Sequence, residues 1–349
     1  METVIVEAQR LAAACAAILQ HEGVPAADAA LVADSLVEAD LKGTHSHGVL
    51  RLPRYVKELR SRVTNATPRV CTEVEGESFA RVDGDGGLGP LVGRYAMEVC
   101  LAKAARTGTA TVTARRSRHF GAAGYYAAMA LPRDMIGIAM TVASPRLAPT
   151  GGVRPLFGNN PVAVAIPGDH GFPLVVDFAV GRTGAGRLEL AAANGETIPA
   201  GLARDLSGNE TVDPKVALNG AIIPIGEHKG YGMALVIEVL AGLLAGAPYF
   251  GVERDSVSDH MRDHGIGHCF MAIDPGRFMP TPAFKQAVAA MVTTIGATPC
   301  LTGVSEVLVP GQLEARRWAE RRRDGIPLSR PSATAVASLA AAAGASLTW

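Results

Sequence analysis

Alanine-rich stretches with helical apolar spacing alternate with short β-branched runs along almost the whole chain. No repeat or low-complexity linker interrupts them. That alternation restricts the fold more than any single motif, because it calls for an α/β architecture whose lobes are not simply consecutive segments. Residues 4–21 and 25–41 read as helices, the second with Pro25 in its first turn. Residues 70–82 read as strand material, and 109–114 as a strongly β-branched strand, with helices over 90–106 and 122–131. Short apolar runs at 136–142 and 162–166 fit buried strands and flank a glycine- and proline-rich loop over 144–161, and residues 174–177 end another strand. Residues 181–189 begin a loop or a glycine-opened helix. Residues 194–221 are turn-rich, a long apolar helix starts near 226, and a terminal helix follows Ser332.

With 349 residues, the chain can form two packed lobes or one large α/β unit. Lys plus Arg and Asp plus Glu number 33 each, so no global field favours nucleic acid or an anionic membrane. The apolar run 231–247 is interrupted by Glu238 and reads as a buried helix rather than a membrane span. Cys15, Cys71, Cys100, Cys269 and Cys300 are odd in number and lack CxxC spacing, as expected of free thiols in a reducing compartment. The first residues show no basic segment followed by an apolar one, so the expected location is the cytoplasm.

Polar chemistry concentrates between Gly43 and Tyr55, where His45, Ser46, His47, Arg51, Arg54 and Tyr55 crowd together. If residues 46–55 are helical, His47, Arg51 and Tyr55 share one face, although an interior Pro53 opposes that reading. His47 is suited to carrying a proton near neutrality, and Arg51 offers a planar fork for a carboxylate. Together they describe a site for a small acid with a carbonyl or hydroxyl beside its carboxylate; the plainer reading is a surface turn. His119 lies where a strand feeds a helix, a place for a functional group or for a cap. Lys229, between His228 and Gly230, could approach a phosphate at a helix start or simply snorkel.

Other patterns compete for attention. Gly84, Gly86 and Gly89 spell G-x-G-x-x-G after a strand and before a helix, which suggests either a pyrophosphate turn or a tight glycine turn. The next strand runs into Arg115 and Arg116 rather than the carboxylate that a Rossmann site places there. His260, His264 and His268 recur every four residues and could gather a metal if helical, but Gly265 and Gly267 weaken a helix. Arginines 316, 317, 321, 322 and 323 interleave with Glu314, Glu320 and Asp324, the mark of a solvated helix face. A Ser46–His47 nucleophile lacks a nucleophile elbow around it.

Six stretches in order resemble the malate/L-lactate dehydrogenase family that lies outside the usual lactate and malate dehydrogenases. They are residues 46–55, 117–125, Gly158-Asn159-Asn160-Pro161, Asp177-Phe178-Ala179, His228-Lys229-Gly230-Tyr231-Gly232 and Val309-Pro310-Gly311-Gln312. Members of that family include ureidoglycolate, sulfolactate, 2,3-diketogulonate and cyclic-imine carboxylate oxidoreductases. The resemblance covers nearly the whole chain. It implies an α/β, non-Rossmann nicotinamide-binding fold, with a mixed sheet and a helical lobe built from both chain ends. It implies one unit over 5–330: a helical part at 5–62, an α/β cofactor-binding part at about 70–280, and a part from about 281–349 that returns to the helical lobe. It also implies a homodimer, NAD or NADP as cofactor and a small carboxylic acid as substrate.

By matching motifs, His47 is the acid/base with Ser46 beside it, Arg51 and Tyr55 face the substrate, and His119 competes for the proton. Ser144, Asp177, Phe178, Ala179, His228, Lys229, Pro310, Gly311 and Gln312 would contact the cofactor. The chain departs from the family pattern at Val180-Gly181, at His45 and at Gln312, which leaves NAD versus NADP open. The expected reaction moves a hydride between nicotinamide and C2 of a 2-oxo or 2-hydroxy acid. The alternatives are reduction of a cyclic 2-imino acid with NADPH, and a non-catalytic binding protein on the same fold.

Overall fold

The computed structural model describes residues 3–250 and 264–348. Strand β1 (Thr3–Val6) and helices α1 (Ala8–His21), α2 (Ala26–Leu41) and α3 (Leu52–Arg60) lead into a hairpin of β2 (Cys71–Glu75) and β3 (Phe79–Asp83). Next come α4 (Gly89–Thr107), β4 (Thr109–Ser117), α5 (Ala123–Ala128), β5 (Ile136–Thr141), β6 (Pro145–Leu147), β7 (Phe157–Gly158), β8 (Pro161–Ile166) and β9 (Leu174–Ala179). They are followed by α6 (Ala185–Asn194), β10 (Ala203–Arg204), β11 (Glu210–Thr211), α7 (Pro214–Asn219), β12 (Ala221–Ile222) and α8 (His228–Ile237), which runs on as a π-helical stretch, Glu238–Leu243. β13 (Ile266–Ile273), α9 (Thr281–Gly296), α10 (Gln312–Asp324), β14 (Ile326–Ser329) and α11 (Arg330–Ala342) complete the described elements.

Local chemistry sets several boundaries. α4 opens with Pro90 in its first turn, where the missing N–H costs nothing, and stops at Gly108, whose φ of 86° is left-handed. The Asp213 carboxylate caps α7 by accepting from the amides of Lys215 and Val216, and the Ser329 hydroxyl caps α11 by accepting from Ser332.

The main sheet runs β2-β3-β4-β13-β5-β8-β9. Only β3 and β4 pair in parallel, and the other neighbours are antiparallel. This mixed order is not the parallel order of a Rossmann domain. A five-stranded sheet, β11-β10-β12-β6-β7, lies beside it. β1 pairs with β14, Thr3 opposite Ser329, and the helical lobe packs α1, α2 and α3 with α11 around Leu11, Ile18, Leu36, Leu52, Tyr55 and Val336. The mixed sheet and the lobe drawn from both chain ends are therefore as expected.

The sequence pattern missed β1, which sits inside a run that reads as helix, because the partner that makes it a strand lies at the other end of the chain. Residues 70–82 form two strands rather than one, with the chain reversing between Glu75 and Phe79. Among the described residues, no helix is long and apolar enough to cross a membrane. All five cysteines are unpaired.

Candidate active site

The chain leaves α2 through two short 3-10 turns, His45–His47 and Val49–Arg51, before α3 begins at Leu52. The single helix suggested for 46–55 is thus replaced by a tighter path. Gly48, extended at φ −85° and ψ −150°, separates the turns, and Pro53 falls harmlessly in the first turn of α3. Asp40, fully buried near the end of α2, holds this path. One carboxylate oxygen accepts from His45 Nδ1 at 2.7 Å and the other from the Val49 amide at 2.7 Å. Arg321 on α10 donates to the Asp40 carbonyl at 2.6 Å and reaches His45 Nε2 at 3.1 Å. A Cβ on Gly48 would lie 2.2 Å from the Asp40 carboxyl carbon, so only glycine lets the carboxylate sit inside the turn.

This path brings His47 against His119. Their rings stack with centroids 5.6 Å apart and planes 16° apart. Ser46 Oγ lies 3.0 Å from His47 Nδ1, and Arg51 Nε donates to the Ser46 carbonyl at 2.5 Å. The Tyr55 hydroxyl, buried under the helical lobe, lies 2.9 Å from His119 Nδ1 and 3.2 Å from the His119 carbonyl. The described hydrogen bonds occupy Nδ1 of each ring, which leaves the two Nε2 atoms for a bound molecule.

Burial pushes His47 down to about 4, and the nearby Arg51 guanidinium adds to that depression. His119 is held well below the usual histidine value by burial, then by Arg54, Arg51 and His47. Both rings are neutral at pH 7, and each carries one N–H and one lone pair. Burial and the Glu58 charge raise the Tyr55 phenol, with Arg54 and Arg51 pulling the other way, so it stays a hydrogen-bonding group rather than a base.

The floor beneath the pair is also organised. Arg54 Nε donates to the fully buried Glu58 at 2.7 Å, and Arg118, itself buried, donates to the carbonyls of Val63 and Ser117. Phe120 stacks on His268, centroids 4.5 Å apart, while His268 bonds Thr141 Oγ1 at 2.7 Å and Ser117 Oγ at 2.8 Å. The Thr141 hydroxyl gives its proton to the Gly267 carbonyl at 2.9 Å, so His268 Nδ1 is the donor to Thr141 and Nε2 accepts from Ser117. This neutral histidine, pushed down to about 3 by burial, fixes the strand ends from which His119 projects.

Of the residues expected at a cofactor, Asp177, Phe178 and Ala179 lie on β9 and the others on separate elements. Asp177 Oδ2 accepts the Gly124 amide at the start of α5 at 2.7 Å, and Phe178 beside it is 40% exposed. Gly311, at φ 90°, abuts the beginning of the strand; a Cβ there would meet the Pro173 carbonyl at 2.1 Å. Pro310 is exposed, and the Gln312 side chain accepts from the Val309 amide at 3.2 Å. Past Ala179, the amide of Ile225 donates to the Val180 carbonyl at 2.9 Å, which sets exposed His228 and Lys229 at the start of α8 against the strand's far end. Ser144 follows β5, where the Asn160 side chain accepts from the neighbouring Ala143 amide at 2.9 Å. One strand thus gathers Asp177, Phe178, Ala179, Gly311 and Lys229, while Ser46, His47, Arg51, Tyr55 and His119 form the adjoining polar group.

The competing motifs resolve differently. In the glycine string, the Gly84 and Gly86 amides donate to the Arg115 and Arg116 carbonyls at 2.9 and 2.8 Å, so they close a turn. Arg115 and Arg116 pair with Glu73, Asp83 and Asp85. Of the four-residue histidine series, His268 sits on a strand with both ring nitrogens engaged, and His260 lies outside the described residues. Among the described residues, no group of three His, Cys, Asp or Glu converges on a metal position. Asp40 and Glu58 were not singled out from sequence. Asp40 did carry a signal, since a carboxylate at the end of a helix opposes the helix dipole and needs partners.

Comparison with known proteins agrees with this architecture. The sequence model of the malate/L-lactate dehydrogenase family matches residues 6–336. The chain is 38% identical over 332 residues to malate/(S)-sulfolactate dehydrogenase of Methanothermus fervidus, covering 95% of this chain and 96% of that protein. It is 34% identical over 329 residues to (2R)-3-sulfolactate dehydrogenase (NADP(+)) of Chromohalobacter salexigens, with 94% of each covered. The crystal structure of malate dehydrogenase from Pyrococcus horikoshii superposes with a TM-score of 0.91 at 34% identity, covering 99% of this chain and 97% of that one.

Proposed function

The chain belongs to the malate/L-lactate dehydrogenase family, and from that premise we propose that it is an NAD(P)-dependent oxidoreductase acting at C2 of a small 2-oxo or 2-hydroxy acid. The observation that carries the reading is the stacked His47–His119 pair, with both Nε2 atoms unused among the described residues and Arg51 beside it.

The residues along β9 suit a nicotinamide nucleotide. Phe178 offers an exposed apolar ring, Asp177 a carboxylate close to the histidine-bearing segment, and Lys229 a cation at a helix start. When bound, the nucleotide supplies or accepts the hydride. The protein's own residues do the rest. Arg51 grips the substrate carboxylate and fixes the C2 oxygen near the histidines. In reduction, His47 in its protonated form gives the Nε2 proton to the oxygen at C2 as that atom gains negative charge. In oxidation, neutral His47 takes the hydroxyl proton. One 2-oxo acid and one proton thus yield one 2-hydroxy acid as a hydride is consumed. His119, held by Tyr55 and itself pushed well down by burial, keeps a neutral ring for hydrogen bonding to the same oxygen. The Arg51 charge that depresses His47 is neutralised once a carboxylate binds, so substrate binding itself raises the affinity of His47 for its proton.

The test is a panel of 2-oxo acids and a cyclic 2-imino acid with NADH and NADPH, run on the wild type and His47→Ala. The expected outcome is turnover of a 2-oxo acid, with kcat lowered by about 10²–10⁴ in the variant while nucleotide binding, read by nicotinamide fluorescence, is retained. Near-normal turnover in His47→Ala sinks the assignment. A larger loss in His119→Ala transfers the proton role to that residue.

A further inference from the structure

Resting on that reading of the site, we infer that the enzyme prefers acids with a single carboxylate and an uncharged or N–H-bearing far end, and that Glu189 turns away a second acidic group. α6 lies directly over Arg51. A Cβ on Gly186 would stand 3.4 Å from Arg51 Nη2 and 3.5 Å from Ser46 Cβ, so the start of α6 touches both residues through a bare backbone. Glu189 follows three positions later and therefore shares that face of the helix. Its charge acts on Arg51 more than that of any other side chain, favouring the charged guanidinium.

The charges around this point decide what can bind. Among the described residues Arg51 keeps spare donors, since its Nε alone is engaged, by the Ser46 carbonyl. Arg54, the other cation acting on Arg51, is paired with buried Glu58 at 2.7 Å. His47 and His119 are neutral at pH 7, because burial and the neighbouring arginines lower both. Arg187 sits about 100° round the helix from Gly186, and Arg182 is paired with Glu227 at 3.3 Å. One substrate carboxylate therefore satisfies Arg51. A second one meets Glu189, a like charge on the exposed flank of the helix, where water weakens the repulsion without abolishing it. An amide, an amine or a ureide at that end instead gives Glu189 a donor to accept. This chain would then differ in substrate from relatives whose names specify malate or sulfolactate, both of which carry two acidic groups.

The experiment compares two 2-oxo acids that differ by one charge, oxaloacetate and its monoamide 2-oxosuccinamate, in wild type and E189Q, with NADH and with NADPH. In the wild type, kcat/KM for the monoamide is expected to exceed that for oxaloacetate about fivefold, the scale of one screened like-charge pair, and E189Q should bring the two within about twofold. A wild-type preference for oxaloacetate, or a ratio unmoved by E189Q, overturns the inference. Calorimetric titration of the NAD-loaded proteins with succinate and succinamate gives a readout independent of turnover. Tighter binding of succinamate that E189Q abolishes, without reduction of either 2-oxo acid, supports the charge selectivity while removing the hydride-transfer reading. No heat from either acid overturns both.

Discussion

Two glycine-containing turns lie within fifty residues of each other, and they behave in opposite ways. The turn at 84–89 has the better-known pattern, yet its amides close on the carbonyls of Arg115 and Arg116, and the charges beside it pair off as Arg116–Asp83 at 3.0 Å and Arg115–Glu73 at 2.7 Å. The turn at 45–51 matches no nucleotide signature, but its interior is held by a buried acid, while His47 Nε2, the Nε2 of His119 stacked on it and most of the Arg51 guanidinium remain uncommitted among the described residues. What separates a site from a scaffold here is unspent hydrogen-bonding capacity, not glycine spacing.

The sharpest way to break this contrast is Gly48→Ala. The new methyl would collide with the Asp40 carboxylate, which must then release either Val49 or His45. We expect destabilisation on the order of 3 kcal/mol by urea denaturation, together with loss of most activity. A variant that is stable and active would show that Asp40 does not organise the turn.

Arg51→Met sharpens the comparison more gently. Burial and Arg51 together depress His47 to about 4, so removing the cation should raise its titration point by on the order of one unit, measured by imidazole NMR. The sign carries over to stability. A histidine depressed in the folded state contributes stability that is present above about pH 6.5 and lost as the pH falls through about 4. The variant should therefore lose less stability across that window. No upward shift would mean that desolvation alone sets the value.

The smallest effect is expected at the other turn. Asp83→Asn should cost about 1 kcal/mol and leave nucleotide binding and kcat/KM within about twofold, because it weakens only a partly exposed ion-pair network. A tenfold loss of nucleotide affinity would restore the glycine string as a binding element.

These differences mark how far the sequence could be read. β4, with its run of threonine and valine, is a strand for local reasons and is recognisable alone. His47, Arg51 and Tyr55 were singled out because proton carriers, anion forks and phenols seldom cluster by chance, but the geometry that unites them was not legible. Their shared surface comes from two 3-10 turns folded around Asp40, and from His119 delivered by a strand end 64 residues beyond Tyr55. The two-residue strands β10, β11 and β12 leave no periodicity to detect. Glu189 was invisible for the same reason as β1, since its importance depends on what it faces across the fold.

The pairing of β1 with β14 also sets a schedule. Val4 and Val6 enter the core of the helical lobe beside Ile326 and Leu328, residues that leave the ribosome tens of seconds later at about 5–20 residues per second. Until then the lobe that carries His47, Arg51 and Tyr55 lacks one wall, whereas β4 and β5 already have their helices. That lobe is therefore the last part of the molecule to be finished, and a chain interrupted before residue 326 would hold the main sheet without the strand that closes the lobe.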